Sequence, residues 1–213
     1  MVEKISNYLL DYFLYKDEKI EGDQREIMLF GITRIVEDIP KYLFVLLVSI
    51  LTHVLPQTGI VLCITILYKS VVGGAHARTN IECFIFTTLY FFVPVIIGKF
   101  VNVDAIYVYA VSAIILLYSY YTIYKHVPAD TEEVPILKKE KRKKYKLYAV
   151  IIITFIYAFT IVLSRFDMQY TKIILVTVLL VDLFTSKIVY KLLRCKHSFE
   201  SDEFKDFYYG NKE

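Results

Sequence analysis

IECFIFTTLYFFVPVIIG, residues 81–98 of this 213-residue chain, decides the fold class. Glu82 is its only charged residue, and an apolar run of this length approaches what a helix needs to span a hydrocarbon core of about 30 Å. The whole chain is 56% hydrophobic, whereas soluble domains hold about 45–50% apolar residues. Further apolar blocks lie at 42–55, 59–72, 105–124, 147–164 and 170–186. The sequence therefore predicts an all-α, polytopic integral membrane protein with about six transmembrane helices.

The first 39 residues have a different character, because charged residues alternate with apolar ones at helical spacing. Residues 2–14 form one such pattern, and Asp23 with Glu26 resembles a helix-capping pair that begins a second. The second pattern is too charged to span, so we expect one or two amphipathic helices at the cytoplasmic membrane surface, with a small soluble helical hairpin as the alternative. The expected divisions are surface helices in 1–39, a transmembrane domain in 40–190 and a cytoplasmic tail in 191–213.

The first two apolar blocks are separated by PQTG, residues 56–59, which predicts a turn. Both blocks are short, so two thin spans and a tight helical hairpin are both compatible with them. Residues 1–41 lack the compact apolar run of a signal peptide, and we therefore expect the membrane segments to belong to the mature protein.

The distribution of basic residues predicts the orientation. With six spans and a cytoplasmic amino terminus, the outer segments hold only Lys99, Arg165 and Lys172 of the 25 Lys and Arg residues. Such a bias is what the positive-inside rule describes. We therefore expect both termini, the 69–80 connection and the 125–146 loop in the cytoplasm. Because the basic residues flank apolar spans, membrane lipids are expected partners and nucleic acid is not.

The sharpest candidate site is GGAHARTNIEC, residues 73–83. A thiol attacks as the thiolate, and a neighbouring imidazole can take its proton, which makes Cys83 and His76 a candidate nucleophile and base. On one straight helix they would be about 10 Å apart, so the chain must bend between them. The stretch from Thr79 to Glu82 fits a capping box and predicts that bend: a helix begins there, with Cys83 in its first turn or so and His76 in the preceding loop.

Such an arrangement would assist the chemistry, because the positive end of a helix lowers the pKa of a nearby thiol and unpaired amides there can hold an oxyanion. Other interpretations weigh equally on spacing alone. Cys83 can be a small apolar side chain, the glycine pair can allow close helix packing, and His76 can be solvated. Zinc needs three or four ligands, and none is found at recognisable spacing, so no metal or cofactor is expected. Three cysteines do not make a disulfide framework; Cys63 is expected to pack and Cys195 to be an incidental thiol.

The sequence resembles the accessory gene regulator protein B family. The resemblance rests on GGAHA at 73–77 followed by Cys83, on the length and span pattern, on PADT at 128–131 and on the lysine-rich run behind it. It extends from the first span to about residue 190.

The resemblance implies a multi-pass endopeptidase of the bacterial cell membrane that processes a quorum-sensing propeptide. It implies that Cys83 cleaves a short amphipathic peptide near its carboxyl end through a thioester, with His76 as general base and acid. A Cys or Ser of the peptide would then close a thiolactone or lactone ring. It also implies a homodimer as a candidate assembly. A peptide exporter or channel without proteolytic activity is the alternative.

Substrate recognition has several candidates. The run KKEKRKK at 138–144 is typical of a topology signal that binds anionic lipid, and it also suits the acidic end that the family's substrates tend to carry. Lys69 either snorkels to the interface or positions a substrate carboxylate. The candidate substrate-binding residues are Lys69, Gly73, Gly74, Lys138, Lys139, Lys141 and Arg142.

Asp182 lies inside the last apolar block, where a charge is costly and usually faces the bundle interior. Orienting His76, pairing with Lys187 and lining a peptide chamber are three open roles for it.

Overall fold

The structure is a computed structural model that describes residues 2–14, 23–75, 77, 79–130, 136 and 138–195. Apart from one β-bridge between Gly73 and Ala129, the regular secondary structure of this part of the chain is helical, which confirms the predicted class. The helices are α1 (Val2–Leu14), α2 (Asp23–Leu51), α3 (Leu55–Ile64), α4 (Ser70–Val72), α5 (Asn80–Phe100), α6 (Ala105–His126), α7 (Lys139–Leu163), α8 (Met168–Phe184) and α9 (Lys187–Leu192), and a π-helical segment (Thr65–Lys69) joins α3 to α4.

Four helical stretches of the described chain are long and apolar enough to cross a membrane: Leu55–Val72, α5, α6 and α7. Their length and composition indicate a membrane protein. The predicted count of six spans is not confirmed, because α8 has only 17 residues and the apolar end of α2 continues a charged helix. Six spans therefore remain a prediction.

Helix α2 runs without a break through Pro40, where the sequence changes from charged to apolar. The chain divides into two compact units, Met1–His53 and Val54–Glu213. In the first unit α1 packs against α2. The side chains of Asp23 and Glu26 lie outside those that the structure describes, so the capping pair stays a prediction, as does the attachment of these helices to the membrane surface.

The turn predicted at residues 56–59 is wrong. The chain instead leaves the helical path at residues 52–54, where His53 has a positive φ of 55°. Pro56 lies in the first turn of α3, a position that suits proline because its missing N–H would have no helical partner there. Gly59 lies within the same helix.

Helix α8 is central to the second unit, since it packs against α3, α5, α6 and α7. One face of it is fully buried, including Ile173 and Val178. Gly98 of α5 faces α8, and a Cβ atom there would lie 2.4 Å from Ile173 Cγ1. The absence of a side chain at Gly98 permits this close approach of the two helices near the carboxyl end of α5.

Candidate functional site

Cys83 lies in the first turn of α5, as predicted. Thr79 is the N-cap, with extended backbone, and its hydroxyl accepts the Glu82 N–H at 3.2 Å. The Glu82 carboxylate accepts the Thr79 N–H at 3.3 Å, which completes the capping box. The Cys83 N–H donates to the Thr79 carbonyl at 2.9 Å, and its side chain is half-buried. The thiol is therefore at the amino-terminal end of one of the helices that are long and apolar enough to cross a membrane.

The predicted base, His76, lies outside the described residues, and so the dyad stays a prediction. The residues on either side of it are described. Ala75 is buried in an apolar cluster, and Ala77 packs against the same cluster together with Phe86 of α5. Phe86 follows Cys83 by three positions, so the two share a helix face. The backbone on both sides of position 76 is thus held near the face of α5 that carries the thiol.

Gly73 and Gly74 turn the chain from α4 into this loop. Their φ angles are +82° and +141°, a region that L side chains rarely adopt. The Gly74 N–H donates to the Ala129 carbonyl at 2.9 Å, and the Ala75 N–H donates to the Phe184 carbonyl at 2.9 Å. A Cβ atom at Gly73 would lie only 2.3 Å from the Ala129 oxygen. The two glycines are thus needed for their backbone conformation and for the close approach to Ala129. The sequence had predicted only that they let the loop fold back.

The segment that receives this loop is itself fixed by Tyr190 of α9. The Tyr190 hydroxyl donates to the Ala129 carbonyl at 2.9 Å and lies 3.3 Å from that of Asp130. Burial raises the pKa of Tyr190, and the nearby Cys195 and Asp130 raise it further. The hydroxyl therefore remains a donor. Cys195, expected to be an incidental thiol, is half-buried and packs against the apolar cluster that contains Ala75 and Tyr190.

Arg142, a candidate substrate-binding residue, braces the same segment from α7. Its guanidinium forms a 2.7 Å ion pair with Asp130 and donates to the carbonyls of Pro128 and Ile136 at 3.3 and 3.2 Å. The Asp130 side chain is almost fully buried. The sequence did not predict this ion pair, because no local pattern relates an Asp after α6 to an Arg within a lysine-rich run.

The other members of the run differ from Arg142. Lys138, Lys139 and Lys141 are exposed. The run forms the cap and the first turns of α7, although it was expected within a loop between spans.

Lys69 ends the π-helical segment. Its ammonium lies 5.6 Å from the ring centroids of both Tyr90 and Phe184, within range of a cation–π interaction. Because the Phe184 carbonyl also binds the Ala75 N–H, Lys69 lies close to the loop that precedes α5.

Asp182 is completely buried, as expected for a carboxylate in an apolar helix. It accepts hydrogen bonds from the Tyr68 hydroxyl at 2.8 Å and the Ser119 hydroxyl at 2.5 Å. Neither partner was foreseen, and among the described residues Lys187 forms no ion pair with it. Cys63 corrects another expectation, since it is exposed on the surface of α3 and does not pack in the core of the unit.

Comparison with known proteins gives one consistent family. A sequence model described as Accessory gene regulator B matches residues 2–186. Putative AgrB-like protein 2 of Clostridium perfringens is 24% identical over 170 residues, 77% of each chain. A putative AgrB-like protein of Clostridium acetobutylicum is 26% identical over 163 residues, 76% of each chain. No solved structure matches the chain at a significant level.

Proposed function

The chain belongs to the accessory gene regulator B family of quorum-sensing systems, and we propose that it is a membrane cysteine endopeptidase with Cys83 as nucleophile and His76 as base. It cleaves a short amphipathic propeptide near the carboxyl end and keeps the amino-terminal part as a thioester. The observation that supports this best is the thiol in the first turn of α5, behind a complete capping box.

The proposed steps conserve atoms and protons. His76 takes the thiol proton, and the Cys83 sulfur attacks the scissile carbonyl carbon. The C–N bond breaks, and the proton passes from His76 to the departing amine. A thiol or hydroxyl of the peptide then attacks the thioester, closes the ring and returns the proton to Cys83. A thioester preserves activation, so ring closure needs no further energy source.

Oxyanion stabilisation at this helix start has fewer donors than the sequence suggested. The Glu82 amide is taken by the cap, and the Cys83 amide makes the first intrahelical bond. The donors for the developing oxyanion must therefore come from the earlier amides of the turn or from the loop before it.

The placement of the loop supports His76 as the base. Ala75 and Ala77 belong with Phe86 to one apolar cluster, and Phe86 shares a face with Cys83. Both sides of position 76 therefore pack near the end and face of α5 that carry the thiol, which supports the proposed proton transfer.

Substrate recognition is proposed for two groups of residues. The exposed Lys138, Lys139 and Lys141 attract an acidic peptide end, while Arg142 acts through its brace on Asp130. Lys69, next to the loop that precedes the thiol, and Gly73 and Gly74 within that loop form the second group. The bias of basic residues supports a cytoplasmic location for this region and for both termini in the bacterial membrane. A homodimer is the proposed assembly, on family membership alone.

The test compares Cys83→Ala with Cys63→Ala. Cys63 is a suitable control because it is a cysteine of the same chain that is exposed on α3. Each variant is co-expressed with the propeptide, and products are measured by mass spectrometry. We expect no cleavage with Cys83→Ala and full maturation with Cys63→Ala. A propeptide whose internal nucleophile is replaced by Ala should accumulate as a hydroxylamine-sensitive adduct on the intact enzyme. Maturation by Cys83→Ala would overturn the assignment of Cys83 as nucleophile, and export of uncut peptide by this variant at the full rate would favour the exporter.

A further inference from the structure

A cationic cleft of about 360 Å³ lies where the end of α6 meets the beginnings of α7 and α9. The described residues that line it include five Lys or Arg side chains and no carboxylate. They are Lys125, His126, Val127, Arg142, Lys143, Lys146 and Lys187.

The positive charge of this cationic cleft is only partly compensated. Among the described residues, Arg142 alone of the five pairs with a carboxylate, that of Asp130. Lys143 and Lys187 are exposed and form no hydrogen bond or ion pair within the described part of the chain. Like charges confined to so small a volume repel one another, and a bound anion relieves that repulsion.

Two further lysines are already oriented. The Lys125 ammonium donates to the Tyr121 hydroxyl at 2.8 Å, and the Lys146 ammonium donates to the Tyr124 carbonyl at 2.6 Å. Each ammonium also lies about 5 Å from the ring of the same tyrosine. Lysines held among tyrosines at the end of a spanning helix are typical of the level of the lipid headgroups.

The helix faces that lead away from the cleft are apolar and exposed. On α6, Leu117 and Tyr121 precede Lys125 at four-residue spacing, with 70% and 50% exposure. On α7, Leu147 and Ile151 follow Lys143 at the same spacing, with 57% and 55% exposure. Residues four apart share a helix face, so Lys125 and Lys143 each continue into an apolar stripe on a helix long enough to cross the membrane. An amphiphile matches this surface better than a soluble anion does.

We propose that the cationic cleft binds the phosphate of an anionic membrane phospholipid, whose acyl chains lie along the exposed faces of α6 and α7. Lys143 and Lys187 contact the phosphate oxygens, and Lys125 and Lys146 supply the surrounding positive field. Basic pockets between spanning helices are known to take such headgroups. A bound headgroup would join α7 to α9 and contact Val127, next to the segment that receives the Gly74 amide. The proposal does not depend on the peptidase function.

The experiment uses the full chain, without peptide, in a neutral detergent. Dioleoylphosphatidylglycerol and dioleoylphosphatidylcholine are titrated separately, and bound lipid is counted by native mass spectrometry. The cleft variant is Lys143→Gln/Lys187→Gln. The matched control, Lys144→Gln/Lys191→Gln, removes the same two charges from exposed positions on α7 and α9 that do not line the cleft.

We expect one molecule of the phosphatidylglycerol to bind in preference to the phosphatidylcholine. The cleft variant should bind it about tenfold more weakly and the control variant as tightly as the unmodified chain. Lys143→Arg/Lys187→Arg should retain binding, which guards against a trivial loss through misfolding. Equal losses in the cleft and control variants would overturn the proposal, because they indicate general surface charge.

Two competition arms identify the source of the anion. Millimolar inorganic phosphate should displace little of the lipid, because it lacks the acyl chains. Complete displacement by phosphate would overturn the lipid assignment in favour of a soluble phosphate site. Displacement by hexaglutamate at micromolar concentration would overturn it in favour of a peptide carboxylate site.

Discussion

Two polar clusters of the second unit are built in opposite ways. The capping box at Thr79 and Glu82 is closed within four residues and is exposed. The cluster of Asp182, Tyr68 and Ser119 joins three separate segments and is fully buried. The first orients the candidate nucleophile by local geometry, whereas the second joins α6, α8 and the π-helical segment, and α5 packs against α8. We therefore expect changes in the buried cluster to cost folding stability and changes near the capping box to cost activity.

The largest effect on stability is expected for Asp182→Ala. It leaves the Tyr68 hydroxyl buried without its acceptor and the Ser119 hydroxyl with only the Ile115 carbonyl, which should cost about 3 kcal/mol of unfolding free energy. Thermal unfolding in detergent measures the loss, and Asp182→Asn should recover part of it because an amide oxygen still accepts. An unchanged midpoint for Asp182→Ala would show that the cluster does not hold the helices together.

Gly73→Ala tests the point at which the local loop meets a distant segment. The new Cβ atom would approach the Ala129 oxygen to 2.3 Å at a φ of +82°, so the β-bridge must open at a cost of about 2 kcal/mol. Peptide processing should fall at least tenfold. Gly59→Ala is the matched control, because a Cβ atom there meets nothing within 4 Å. Equal activity of the two variants would contradict the proposed need for a fixed loop.

The same contrast explains what the sequence could predict. Helix periodicity and the capping box are local patterns, and the apolar environment alone indicated that Asp182 faces inward. Its partners were not predictable, since Tyr68 lies 114 residues away along the chain. The pair of Asp130 and Arg142 was hidden for the same reason. The turn assigned to 56–59 failed because proline stabilises the first turn of a helix as readily as it interrupts one.

A smaller effect is expected for Thr79→Ala, which removes the hydroxyl of the N-cap. Loss of such a cap costs about 1 kcal/mol, here confined to the start of α5. Thioester formation should slow several-fold with little change in the unfolding midpoint, because the shift falls on the turn that carries Cys83. Thr79→Ser keeps the oxygen and should behave like the unmodified chain. A slower Thr79→Ser variant would mean that the methyl group, and not the hydrogen bond, matters.

The smallest effect is expected for the exposed lysines of the basic run at 138–144, and it should distinguish them from Arg142 of the same run. Lys138→Gln/Lys139→Gln/Lys141→Gln changes exposed side chains, so processing should weaken about threefold at low salt and not at all near 1 M salt, where the Debye length is about 3 Å. Arg142→Gln changes a braced side chain, and its defect should persist at high salt and appear as a lower unfolding midpoint. If the triple variant also lost activity independently of salt, these lysines would be structural like Arg142. The difference between exposed lysines that act through charge and an arginine that holds a distant segment would then not exist at this end of α7.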